Sequence, residues 1–150
     1  MKVIGFRSGS KSIRFAILEK NGENISLINS DKENELKIPI TIKSEEDQID
    51  WVYCEIERIL RQNSNTDKIV VKMAEFTRSD TKVKRLISYF DAVILLNAKK
   101  ANKEVTTKLY SQIGIKRMDV KEKSEAICGK TKQKWDEQIA DAIYVAYSEF

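Results

Sequence analysis

The chain of 150 residues has no histidine, one proline and two cysteines. Without histidine it lacks the commonest general base, the Ser–His and Cys–His catalytic arrangements, and most kinds of zinc site. Its cysteines, Cys54 and Cys128, show no paired spacing, which is typical of a protein in a reducing, cytosolic compartment. Because Cys54 lies in a helical apolar pattern, we expect it to be a small core residue.

Long apolar runs are absent as well. The longest, Ala92–Leu96, is far shorter than the ~18 residues of a membrane span, so we expect no membrane contact. The N-terminus enters a strand-like segment without a signal-peptide pattern, which favours a cytoplasmic location. The formal charge of +4, from 27 basic and 23 acidic residues, permits nucleic-acid binding but does not require it.

The apolar patterns predict an α/β fold in which three consecutive strands are followed by alternating helices and strands. Three adjacent strands give an antiparallel meander, and the later alternation gives parallel crossovers. The predicted strands are Lys2–Phe6, Ser12–Glu19, Ile25–Asn29, Ile69–Phe76 and Val105–Tyr110. The segment Leu36–Ile42 either extends the third strand or forms a short edge piece, because it contains Pro39. The predicted helices begin near Ser44, at Ser79–Asp80 and at about Gln133, and the last one continues to Phe150.

Three short motifs follow one another along the chain. The first is Ile4-Gly5-Phe6-Arg7-Ser8-Gly9-Ser10, and the second is Asp67-Lys68-Ile69-Val70-Val71. The third is Gly129-Lys130-Thr131-Lys132 with Asp136-Glu137-Gln138-Ile139-Ala140-Asp141-Ala142-Ile143 behind it. In order and spacing these motifs resemble those of the RNase H-like superfamily, in its RuvC-like branch of Holliday-junction resolvases.

The resemblance covers essentially the whole chain and implies one RNase H-like domain over residues 1–150. It implies a mixed five-stranded sheet, with three antiparallel strands and then parallel crossovers, flanked by helices. Members of the family use four carboxylates to hold two divalent cations, Mg²⁺ or Mn²⁺, that cleave a phosphodiester.

Carried over by position, the resemblance places Arg7 where the family has its first carboxylate. The second position is Lys72, or Glu75 if the fourth strand runs further, and the final pair is Gln138 and Asp141. One or two carboxylates of the four therefore remain, and the permanently charged Arg7 would repel metal ions. We expect no cofactor; Mg²⁺ or Mn²⁺ would bind Glu75 and Asp141 only in an active enzyme.

Two interpretations of Arg7 remain open. It either binds a phosphate in place of a metal or forms an ion pair with Glu75 or Asp141. The candidate phosphate-binding residues are Arg7, Ser10, Lys11, Lys72, Lys130 and Lys132. The turn Ser8–Ser12 could hold an anion through its backbone amides or serve only as a hairpin turn. The basic region Lys116–Lys134 could follow a nucleic-acid backbone or form a solvated face, since acidic residues interrupt it.

The sequence thus favours an RNase H-like domain that is non-catalytic or catalytically degenerate and binds nucleic acid or a protein partner. The alternative is an active, metal-dependent, structure-selective endonuclease whose carboxylate cluster is rearranged and uses Glu75 and Asp141, with Asp136 as a further candidate. A homodimer formed through the apolar run Ala92–Leu96 is a further hypothesis, and a buried helix is the simpler explanation of that run.

Overall fold

The computed structural model describes all residues from Met1 to Phe150. Its strands are β1 (Lys2–Ser8), β2 (Ser12–Asn21), β3 (Asn24–Leu27), β4 (Glu35–Lys37), β5 (Lys68–Lys72) and β6 (Glu104–Lys108). Its helices are α1 (Glu45–Gln62), α2 (Lys82–Lys100), α3 (Tyr110–Ile113), α4 (Val120–Cys128) and α5 (Glu137–Tyr147), with a 3₁₀ turn at Arg117–Asp119.

The strands form one mixed sheet in the order β3-β2-β1-β5-β6. The first three strands pair antiparallel, whereas β5 lies parallel to β1 and β6 lies parallel to β5. The predicted meander and crossovers are confirmed. The strand β4 pairs only with the start of β2, so it adds a short sixth strand at the edge of the sheet.

Alternation along the strands divides the core into two layers. On one face, Ile4 and Phe6 of β1 pack with Ile69 of β5 against α1 and α2. On the other face, Val3 of β1 and Val70 of β5 pack against α5. By the same alternation, Arg7 of β1 and Lys72 of β5 lie on the face of the sheet that α5 covers.

Helix α5 crosses β1 at Gly5, where only a glycine fits. A Cβ atom added there would lie 2.0 Å from the carbonyl oxygen of Ala142 and 3.0 Å from Cβ of Ala146. The missing side chain lets the helix approach the strand closely, and this contact sets the height of Asp141 above the sheet.

Several predicted boundaries are wrong. The strand expected over Ile69–Phe76 ends at Lys72, because the residues from Met73 onward leave the sheet. Helix α2 is capped by Thr81, whose hydroxyl accepts a hydrogen bond from the Lys84 amide, and not by Ser79–Asp80. The last helix begins at Glu137 because Asp136 caps it.

Other residues also differ from the predictions. The polar stretch before the last helix contains α3 and α4, two helices that the sequence pattern did not reveal. Cys54 is exposed on α1 and is not a core residue. None of the helices combines the length and the apolar character that crossing a membrane would require.

Candidate functional site

The candidate site lies where the carboxyl ends of β1 and β5 adjoin beneath α5. Phe6 of β1 is in register with Val71 of β5, so the next residues, Arg7 and Lys72, are neighbours on parallel strands. Both project toward α5, which carries Asp141 and Gln138. Gln138 covers the turn after β1, since its side chain lies about 3.0 Å from where a Cβ of Gly9 would be.

Asp141 is completely buried, and each of its carboxylate oxygens accepts a hydrogen bond. Nε of Arg7 donates to Oδ2 at 3.0 Å, and the hydroxyl of Tyr110 donates to Oδ1 at 2.7 Å. The guanidinium of Arg7 also donates through Nη1 to the Ser8 carbonyl at 3.2 Å. Of the two ion-pair partners predicted for Arg7, the structure therefore selects Asp141.

Lys72 is buried as well, and its ammonium group has three partners. Nζ lies 2.9 Å from Oε1 of Glu75, 2.6 Å from the carbonyl oxygen of Met73 and 3.7 Å from the centre of the Tyr110 ring. A cation over an aromatic face is stabilised by the ring quadrupole. Glu75 also accepts a hydrogen bond from the Tyr110 amide at 2.9 Å, which ties the loop after β5 to the start of α3.

Burial dominates the titration of this cluster. It raises the pKa of Asp141, although Tyr110, Arg7 and Lys72 oppose the shift, and it lowers the pKa of Lys72 despite the contact with Glu75. Burial also raises the pKa of Tyr110, and the hydrogen bond to Asp141 adds to that effect, so Tyr110 stays a donor. For Glu75 the Tyr110 amide and Lys72 outweigh burial and lower the pKa.

The donor set does not fit a pair of divalent cations. Such a centre needs several carboxylate oxygens that face the metal ions, whereas Asp141 is the only carboxylate under α5 and one of its oxygens is paired with a guanidinium. Two basic side chains, the permanently charged Arg7 and the buried Lys72, occupy the strand ends. No three side chains among histidine, cysteine, aspartate and glutamate are arranged to share a metal ion.

Asp91 of α2 is a largely buried carboxylate near the candidate site that the sequence did not reveal. It lies on the other face of the sheet, beside Ser8, and it shares with Glu75 a cavity of about 200 Å³. Its Oδ1 atom is buried without a hydrogen-bond partner, as is the hydroxyl of Ser8. Burial raises the pKa of Asp91 to about 6, against the attraction of the positive charges on Arg7 and Lys72. Its place in the apolar pattern of α2 gave no sign of this role.

Replacing Asp91 with Asn is expected to stabilise the protein at high pH. A carboxyl whose pKa is raised on folding stabilises the fold while protonated and loses that contribution as the pH rises from about 4 through about 6. At about pH 8, Asp91→Asn should increase the free energy of unfolding by about 2–3 kcal/mol, and at about pH 4 the gain should nearly vanish. Denaturant unfolding at both pH values measures this.

The matched control is Asp50→Asn, because Asp50 is exposed on α1 and forms no ion pair. We expect it to change the unfolding free energy little at either pH. Equal stability of Asp91→Asn and the unmodified protein at about pH 8 would mean that Asp91 is not a costly buried charge.

Of the remaining predicted binding residues, two lie on the turn next to this cluster and two do not contact it. Ser10 and Lys11 occupy the turn after β1, where the Gly9 amide donates to the Ser12 carbonyl at 2.8 Å. Lys130 and Lys132 instead form exposed ion pairs, with Glu125 at 3.3 Å and Asp31 at 3.8 Å, and contact neither Arg7 nor Lys72. These two lysines are thus already paired with acidic side chains.

Asp136 does not contribute to the cluster. One of its oxygens caps α5 by accepting from the Ile139 amide at 2.9 Å, and the other binds the buried Arg14 at 2.8 Å. Arg14 also contacts Glu35 of β4. A metal centre rebuilt with Asp136 would have to give up both the helix cap and the partner of a buried cation.

Several solved structures share this fold. The structure of Thermus thermophilus RuvC with a Holliday junction substrate matches with a TM-score of 0.81 at 15% identity, over 99% of this chain and 92% of that one. The chain has the RNase H-like fold of the Holliday-junction resolvases. The yeast mitochondrial resolvase Ydc2 matches with a TM-score of 0.63 at 14% identity, over 97% of this chain and 76% of that one. The fowlpox virus resolvase in its junction complex matches with a TM-score of 0.51 at 18% identity, over 99% and 97%.

No protein-family model matches the sequence, and no curated protein matches it. The RNase H-like fold is a scaffold on which different side chains support different activities, so the function must be argued from the residues at the end of β1 and β5. In this chain those residues are Arg7 and Lys72, together with Asp141.

Proposed function

We propose that this nuclease-fold domain binds nucleic acid and does not hydrolyse it by the two-metal mechanism. The observation that carries the proposal is the pairing of Arg7 and Tyr110 with the two oxygens of Asp141. The guanidinium neutralises the carboxylate and stands where the resemblance places the first metal-binding residue. Of the four positions that the resemblance assigns to carboxylates, the first holds Arg7, the second holds Lys72 or Glu75, the third holds neutral Gln138 and the fourth holds Asp141. Because β5 ends at Lys72, we take Lys72 as the second position.

Features near the same sheet edge support binding of a phosphate backbone. Arg7 is 16% exposed, and its Nη2 atom makes no hydrogen bond within the protein. Ser10 and Lys11 lie on the adjacent turn, and Lys11 is exposed without an ion pair. The loop after β5 presents Phe76 with 81% of its surface exposed, and an exposed ring of this kind can stack on an unpaired base.

The junction complexes of the structurally similar resolvases support the choice of a branched DNA as the first ligand to test. The net charge of +4 is compatible with a DNA ligand. Because this charge is small, we expect a modest affinity that depends strongly on the salt concentration.

The experiment measures binding and cleavage of a fluorescent four-way junction with Mg²⁺ or Mn²⁺. We expect an affinity that falls as KCl rises from about 50 to about 200 mM, because binding releases counterions, and we expect no cleavage. Lys11→Glu should weaken binding and reduce the salt slope by about 1 or more, since a phosphate contact is lost. The exposed Lys99 on α2 lacks an ion pair, so Lys99→Glu is the control that should change binding less.

Cleavage that Asp141→Asn abolishes would contradict the proposal and favour the second candidate. That candidate is a metal-dependent structure-selective endonuclease with a rearranged cluster, and the grouping of Glu75 and Asp91 around one cavity is the observation in its favour. Absence of salt-dependent binding to any nucleic acid would instead favour a domain that binds only a protein partner.

A further inference from the structure

A pocket on the far side of the turn after β1 combines lysines with aliphatic side chains. It has a volume of about 300 Å³ and lies between the turn, β4 and the start of α1. Lys11, Lys37 and Lys43 line it, as do Ile38, Pro39 and Ile40. We call it the β4 pocket. It contains none of the side chains around Asp141, and it shares only Ser10 and Lys11 with the proposed nucleic-acid surface.

Charge in the β4 pocket is uncompensated. None of its lining residues is acidic, and Lys11, Lys37 and Lys43 take part in no ion pair. By contrast, the lysines at positions 130, 132 and 134 each have an acidic neighbour within 4 Å. Three unpaired ammonium groups around one cavity attract a ligand with negative charges.

Exposed aliphatic side chains in the β4 pocket restrict the chemistry of the ligand. Ile40 is 84% exposed, the largest exposed fraction of any large apolar side chain in the protein, although it is flanked by the buried Ile38. Aliphatic side chains that are left in water next to a cavity gain free energy when a partner covers them. The ligand must therefore offer apolar side chains as well as acidic ones.

The backbone beside the pocket is also free to bind. The Asn34 carbonyl accepts a hydrogen bond from the Phe15 amide of β2, and the Ile38 amide donates to the Lys11 carbonyl. In an antiparallel pair, every second residue directs its backbone groups away from the partner strand. The backbone N–H and C=O groups of Glu35 and Lys37 therefore point away from β2. No other strand pairs with β4. An extended segment laid along this edge would find unpaired donors and acceptors next to the lysines.

We propose that the β4 pocket docks a short, acidic, amphipathic segment of a partner protein. Carboxylates of the segment pair with Lys37 and Lys43, and its apolar side chains cover Ile40 and Pro39. The pocket has no aromatic side chain for stacking a base and no arginine, so the isoleucines would be left without a partner if a nucleic acid filled it. This inference goes beyond nucleic-acid binding at Arg7, because it concerns Lys37, Lys43 and Ile40 on the far side of the turn that carries Ser10 and Lys11.

The probe is a fluorescein-labelled synthetic peptide in which glutamate and leucine alternate, with a lysine–leucine twin as its charge control. We expect the acidic peptide to bind the full chain and the twin not to bind. Ile40→Ser and Lys37→Glu should each weaken the affinity about fivefold to tenfold, through lost apolar burial and lost charge attraction. A heteronuclear NMR titration should shift the amides of Ser10, Lys11 and residues 38–43.

The controls are Met118→Ser and Lys99→Glu. Met118 is 83% exposed and, like Lys99 on α2, it does not line the β4 pocket. Neither should change the affinity for the peptide. Failure of the acidic peptide to bind, or equal binding by Ile40→Ser and Met118→Ser, would overturn the inference. So would weakened junction binding by Ile40→Ser, because the pocket would then belong to a nucleic-acid surface.

Discussion

A triple variant with Arg7→Asp, Lys72→Glu and Gln138→Asp is expected to acquire a binding site for divalent cations that the unmodified protein lacks. The three positions surround Asp141 at the ends of β1 and β5 and on α5, so the substitutions place four carboxylates at one edge of the sheet. Without metal, repulsion among these carboxylates should lower the melting temperature below that of the unmodified protein.

Metal should reverse that loss. At a Mn²⁺ concentration about 100 times the dissociation constant, binding to the folded state adds about 2.7 kcal/mol, which corresponds to a rise in melting temperature of roughly 5–10 °C for a chain of this size. Differential scanning fluorimetry across a Mn²⁺ series measures the shift, and isothermal titration calorimetry gives the number of ions bound.

Two comparisons make this result specific. The same triple variant with Asp141→Asn added loses one ligand, so it should gain much less from Mn²⁺. The unmodified protein should show no rise of its own. If it is stabilised by Mn²⁺ as strongly as the triple variant is, then Arg7 and Lys72 do not keep metal ions out of this site.

Replacing Gly5 with Ala is expected to destabilise the protein by about 3 kcal/mol or more, a large effect for adding one methyl group. The new Cβ would lie 2.0 Å from the Ala142 carbonyl oxygen, and a backbone atom within a helix cannot move aside without the helix. Helix α5 would shift away from β1 and carry Asp141 away from Arg7. Denaturant unfolding measures the stability loss.

The matched control is Gly9→Ala on the neighbouring turn. There the added Cβ would lie 3.0 Å from the end of the Gln138 side chain, which can move aside, and 3.0 Å from the Ser12 carbonyl oxygen, which would have to shift by only a few tenths of an ångström. We expect Gly9→Ala to cost less than about 1 kcal/mol. If the two alanine variants are equally stable, α5 does not rest on Gly5 as closely as the geometry indicates.

The sequence was sufficient to predict the fold because the apolar periods of β1, β2 and β5 are regular and the motifs occur in a recognisable order. One of its two interpretations of Arg7 was an ion pair with Glu75 or Asp141, and the structure shows the contact with Asp141. It did not predict where β5 ends. Val71 and Met73 continue the apolar run, and only the sheet shows that pairing stops at Lys72.

Asp91 and Tyr110 were missed for a different reason. Both belong to segments that are far from Arg7 along the chain, and only the packing of α2 and the turn into α3 brings them to the ends of β1 and β5. A polar residue on a mostly apolar helix is usually solvated, so its type alone carried no signal. The burial of Lys72 was hidden likewise, because it depends on the Tyr110 ring that covers its ammonium group.

The most direct test of the central claim is a crystal of the unmodified protein soaked in Mn²⁺ and measured for anomalous scattering. We expect no anomalous peak near Asp141, and Nε of Arg7 should remain within hydrogen-bonding distance of its carboxylate, as at the 3.0 Å seen here. A manganese peak bound by Asp141 and Glu75, with Arg7 turned away from the carboxylate, would contradict the account.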